Sequence, residues 1–224
     1  MRPRPIHEAP AWIDEAARTD EGTPSGAVTL VVSRMQVLRE ATRDAHTRIE
    51  RVLPLLEPGL TRARYRRVLE AFYGFYAPLE PSIARAAATE GAALALELRA
   101  KLPLLATDLR ALGQTPAEIE ALPRCRDLPV LESASHAIGI LYVMEGATLG
   151  GQIIRRHLRD GAEIDASSGA AFFTGYGATT GAMWARFVDH VNQSTTIETD
   201  AAVRAAVHTF QTLTQWLQAS LGPS

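Results

Sequence analysis

An all-α fold is what this sequence predicts, on three observations. Apolar residues recur at three- and four-residue spacing through nearly every segment after Ser33. No paired strand-like runs and no internal repeats stand out against that period. The breaks between periodic runs carry residues that start and stop helices, Thr, Pro and Gly above all. At 224 residues and 46% apolar composition, the chain has the size of one domain with a substantial core.

Residues 1–32, rich in proline and charge, read as a flexible N-terminal arm in front of a domain over 33–224. The positive start of the arm has no apolar run behind it, so it does not resemble a secretory signal. "AVTLVVS" at 27–33 is too short to assign. The first helix begins at Ser33, with Leu38, Ala41, Ala45, Ile49 and Val52 on one stripe, and stops near Pro54. A second follows "EPGL", capped by Thr61, with Tyr65, Val68, Leu69, Phe72, Tyr76, Leu79 and Ile83 inward; Pro78 and Pro81 should kink or end it. A third runs through "AALALELRAKLPLLATDLRALG", bent at Pro103 and closed by Gly113. "TPAEIEAL" is a short helix with Thr115 and Glu118 spaced as a capping box. A long helix spans about Leu131 to Leu158, a loop-rich stretch carries "AAFF", and two helices close the chain over Thr180–Val191 and Asp200–Leu221.

Composition excludes several functions. A formal net charge of −2 gives no general attraction to nucleic acid or acidic membranes. The single cysteine, Cys125, rules out an internal disulfide framework and suits a reducing compartment. The least polar stretch, "SASHAIGILYVM", ends at Glu145 and is too short to span a bilayer, so the expectation is a cytoplasmic protein with no membrane partner. Neither a P-loop nor a GxSxG nucleophile turn is present. No histidine follows a glutamate by three residues, which excludes the Glu-x-x-His pairs of helical di-iron proteins.

Two features carry candidate chemistry. "LYVMEGATLGGQIIRRHL" places Gly146, Gly150 and Gly151 inside a helix, where each is worth about 1 kcal/mol less than alanine. Gly139, Gly146 and Gly150 project within roughly 40° of one another, a smooth groove that suits either close packing of another helix or a flat ligand. In "LREATRDAHTRIE", His46 sits about 80° from the centre of the apolar stripe, at the margin of a crevice, with Glu50 one turn on. A carboxylate that fixes the tautomer of an imidazole is the usual support of a metal ligand, although the same pair serves as surface hydrogen bonding.

These two segments, with "GAAFFTGYG" and "AVRAAVHTFQTLTQWLQ", occur in an order and spacing that resembles the haem oxygenases, especially the bacterial branch found beside bacteriophytochromes, over residues 33 to 221. The resemblance implies haem held between a proximal helix and a kinked distal helix. His46 matches the proximal ligand and Glu50 its supporting carboxylate. Gly146 and Gly150 match the distal helix, where absent side chains let backbone approach the macrocycle. Tyr142, Arg39 and, after a one-residue gap, Arg186 match propionate contacts, for which arginine supplies a bidentate fork.

The implied activity opens haem, at once cofactor and substrate, to biliverdin with release of CO and ferrous iron, using O2 and electrons from an external donor. Ala147 stands where the best-known animal branch has a distal aspartate; Thr148 is the candidate to order water in its place. Arg155, Arg156 and Arg159 form a basic helix end that suits docking of an acidic ferredoxin or a flavin reductase, or simply complements the helix dipole. A bacteriophytochrome is a candidate acceptor of the product. The competing readings are a non-catalytic haem-binding or haem-sensing protein of the same fold, and a helical protein that binds a different small molecule.

Overall fold

The computed structural model describes residues 32–88 and 94–222, all but the first of them in one unit, Ser33–Ser224. The expected arm and the "AVTLVVS" stretch lie, but for their last residues, outside the described residues. Nine helices are described: α1 (Arg34–Val52), α2 (Arg62–Ala86), α3 (Leu96–Arg99), α4 (Leu102–Ala111), α5 (Pro116–Glu120), α6 (Ala134–Ala162), α7 (Ala171–Thr174), α8 (Thr180–Gln193) and α9 (Thr199–Leu221), with no strand among the described residues.

Helix boundaries follow the caps. Ser33 and Gln36 form a reciprocal capping box at α1, Thr61 accepts from the Arg64 N–H at α2, Thr115 and Glu118 form the box at α5, and Ser133 caps α6. Helix α9 is the central packing element, lying against α6, α1 and α2, while α2 packs on α4. The core is aromatic around α2, where Phe72 and Tyr76 meet Phe172 of α7 at ring distances of 5.4 and 5.6 Å.

Three expectations need correction. Of the two outcomes expected at Pro78 and Pro81, an end to the helix does not occur, and α2 continues to Ala86. Pro78 cannot donate to the Gly74 carbonyl one turn back, but the Cys125 N–H does so at 3.0 Å. Gly74 is bare because the loop comes so close: a Cβ there would stand 2.4 Å from the Pro123 carbonyl oxygen. The third predicted helix is two, because the chain leaves helical geometry at Ala100 and Pro103 opens α4 instead of bending a longer helix. Helix α6 runs on past Glu145, so by length and composition it is long enough to cross a bilayer. More than half of its apolar stretch is nevertheless buried within the protein, as in a core helix.

Candidate functional site

Helix α6 carries glycines at 139, 146, 150, 151 and 161 within one unbroken helix, and the structure separates their roles. At Gly139 a Cβ would stand 2.0 Å from the Ala202 carbonyl oxygen, so this glycine lets the α6 and α9 backbones touch. At Gly151 it would meet the Phe173 carbonyl oxygen at 2.5 Å. At Gly146, half-buried in the middle of the helix, it would meet nothing within 4 Å. Gly139 and Gly151 are therefore packing glycines, whereas Gly146 borders open space. Gly150 is half-buried in the same helix, and Gly161 is exposed in its last turn.

Facing elements supply the remaining candidates. On α1, His46 has a side chain 27% exposed, with Nδ1 3.5 Å from a Glu50 carboxylate oxygen. Its ring meets Phe210 of α9 edge-on at 5.7 Å. Burial lowers the His46 pKa below the ordinary histidine value, an effect the Glu50 charge partly offsets. Burial thus favours the neutral imidazole, the form that ligates a metal. Among the described residues no three of His, Cys, Asp and Glu gather as a metal cage.

Helices α1 and α6 make little direct contact; each packs on α9, and α8 touches both. They approach where the Thr42 and Tyr142 hydroxyls share a hydrogen bond of 3.3 Å. His46 follows Thr42 by one turn and Gly146 follows Tyr142 by one turn, so both candidates lie within about 6 Å of axial rise of that contact. Tyr142 also packs on Trp184 of α8 at 6.2 Å. Its hydroxyl pKa is raised by burial and drawn back by the Thr42 bond and the positive charge of Arg39, which places Arg39 in the same neighbourhood.

The structure does not gather every predicted residue. Arg186 is exposed on α8. Thr148 lies about 200° around α6 from Gly146, buried, with its hydroxyl on the Met144 carbonyl at 3.4 Å. Its methyl would be 2.3 Å from a Cβ at Gly175, so it packs against the turn after α7 and not on the Gly146 face. Ala147 is exposed. At the basic end of α6, Arg155 donates to Gln152 at 3.1 Å and Arg159 to Asp160 at 3.0 Å.

One constellation escapes sequence reasoning: Glu145, buried beside Gly146, receives Arg99, Lys101 and the Tyr176 hydroxyl. The available signal is a lone carboxylate inside the apolar run "AIGILYVMEGATLGG", which a buried helix accepts only if partners meet it.

These features fit a flat apolar ligand carrying a metal: a neutral imidazole on one helix, a bare backbone on the other, and a tyrosine and an arginine at the edge where the helices meet. Solved structures share the architecture. The heme oxygenase from Neisseria meningitidis, in its NO- and CO-bound crystal structures, superposes with a TM-score of 0.69 at 22% identity, covering 87% of this chain and 94% of that one. Heme oxygenase 2 from Chlamydomonas reinhardtii, crystallised without heme, superposes with a TM-score of 0.63 at 17% identity, covering 86% and 100%. No curated protein matches the chain by sequence at a significant level. A sequence model of the heme oxygenase family matches residues 33–219. With that match spanning most of the chain and the same all-α architecture beneath it, the chain belongs to the heme oxygenase family.

Proposed function

We propose that the protein binds haem between α1 and α6 and catalyses its oxidative opening to biliverdin, releasing CO and ferrous iron, with O2 and electrons from an external donor. The observation that carries this reading is the open space at Gly146, within one turn of the place where α6 meets the helix of His46. Bound haem supplies the iron and the ring that is opened.

The chain's residues divide the remaining work. His46 ligates the iron as a neutral imidazole, and Glu50 orients its ring. Gly146 and Gly150 keep the distal face free of side chains, which leaves room for a diatomic ligand. Arg39 and Tyr142, neighbours at the edge where the helices meet, are assigned one propionate, and exposed Arg186 the other. Thr148 does not join them in this reading, because its hydroxyl is committed to its own helix. A ferredoxin or flavin reductase supplies electrons, for which Arg155, Arg156 and Arg159 offer a basic docking surface, and a bacteriophytochrome is an acceptor for the biliverdin.

Hemin titration followed by reductant under air tests the reading. We expect a Soret band that His46→Ala abolishes, then conversion to a green bilin. The exposed alanine at 147 favours a second reading, a haem binder without turnover, which would give the Soret band and no bilin. A wild-type spectrum unchanged from free hemin refutes both.

A further inference from the structure

Glu145 is 2% exposed, Arg99 4% and Lys101 1%. One Glu145 oxygen accepts from Arg99 Nη1; the other accepts from Lys101 Nζ at 3.2 Å and the Tyr176 hydroxyl at 2.7 Å. Lys101 also donates to the Tyr176 oxygen. The donors are held in turn. Arg99 Nε donates to the Leu94 carbonyl at 2.6 Å and Nη2 to the Met183 carbonyl of α8 at 3.1 Å. Glu80 of α2 accepts the backbone N–H of Lys101 at 2.6 Å and of Leu102 at 3.1 Å. Arg99 and Lys101 at the α3–α4 junction and Tyr176 in the turn after α7 thus converge on one carboxylate of α6, with α2 and α8 holding the two cations in place.

Such a cluster gives little net stability over apolar side chains of similar volume, because desolvation of the ions offsets their attraction. What directional ion pairs do provide is register: a helix clamped by three donors cannot slide or turn without breaking them. Glu145 directly precedes Gly146. Three residues on from Glu145, and on the same side of α6, Thr148 packs on Gly175, and Gly151 meets Phe173 a turn further along.

We infer that Glu145 is a positioning residue: held by Arg99, Lys101 and Tyr176, it sets the axial and rotational register of α6 and so presents the bare backbone from Gly146 to Gly150 toward the haem. This rests on the haem reading above for its purpose, but not for its geometry. Amide hydrogen exchange on the hemin-free full chain therefore tests the clamp by itself. In Glu145→Gln and in Lys101→Met, amides 146–151 should exchange about tenfold faster than in wild type while the buried turns of α9 keep their protection. Unchanged protection over 146–151, or an equal loss in every helix, overturns the inference. If Glu145→Gln fails to fold, Lys101→Met decides by the same criterion. With hemin bound, the variants should retain the Soret band yet shift the balance of high-spin and low-spin ferric absorption at least twofold, whereas spectra identical to wild type overturn the link to haem. Failure of wild type to bind hemin removes the haem reading and leaves the exchange comparison to decide the clamp.

Discussion

Alanine at Gly146 should stabilise the fold while damaging the site. Glycine inside a helix lies about 1 kcal/mol below alanine, through the backbone freedom of the unfolded chain. A Cβ at Gly146 meets no atom within 4 Å, so nothing opposes that gain. For a domain of this size about 1 kcal/mol raises Tm by about 2–4 °C. The control is Gly139→Ala in the same helix. It has the same intrinsic gain, but its Cβ would stand 2.0 Å from the Ala202 carbonyl oxygen and 2.9 Å from the carbonyl carbon. Two backbones would have to separate by about 1 Å, and overpacking of that kind costs about 1–3 kcal/mol, which cancels or reverses the gain. Circular-dichroism melts of the hemin-free proteins give the order expected: Gly146→Ala above wild type, Gly139→Ala at or below it. Hemin titration of the same samples should show weaker binding for Gly146→Ala, because the added methyl enters the space assigned to the macrocycle. A Gly146→Ala protein that melts at or below wild type would refute the claim that this glycine borders open space.

Single contacts set the other expected outcomes. Asp108 is fully buried and accepts the Ala171 and Phe172 N–H groups at 2.7 and 2.8 Å. Burial raises its pKa from 3.8 to about 6, against the pull of those two bonds. The folded chain therefore keeps this proton in a range where the unfolded chain has released it. Stability from this group is present in full below the lower value and falls as pH rises through about 6, by about 3 kcal/mol in all. Denaturant melts across that range should show a flatter profile for Asp108→Asn, and an unchanged slope would count against the assignment. Tyr65→Phe removes a buried hydroxyl that donates to the Gly169 carbonyl at 2.8 Å and should lower unfolding free energy by about 1–3 kcal/mol in urea. Thr148→Val should leave bilin formation undiminished, since the hydroxyl serves only its own helix; a tenfold fall in rate would return Thr148 to the site.

The fold is legible in the sequence because helical period and caps are local. Ser33, Thr61 and Thr115 each place a helix start by a bond to a residue three positions on, which short-range pattern reading captures. Prolines mislead where the deciding partner is distant. The Gly74 carbonyl left without a donor by Pro78 is met by Cys125, some fifty residues away, and no local rule anticipates that. The candidate site divides the same way. His46 and Glu50 are one turn apart on a single helix, and their pairing at 3.5 Å follows from spacing. Thr148 is close to Gly146 in sequence, but two residues along a helix turn a side chain to the far side.

Sequence by itself determined that this chain is a set of amphipathic helices with given starts, that His46 and Glu50 share a face, and that a cluster of glycines leaves the longest helix bare. Only tertiary structure decided which of those glycines meet backbone and which meets space, since that depends on what another helix brings within 4 Å of the absent Cβ. Tertiary structure also assembled Arg99, Lys101 and Glu145 around the Tyr176 hydroxyl, polar groups that become tolerable in the interior only by meeting one another there.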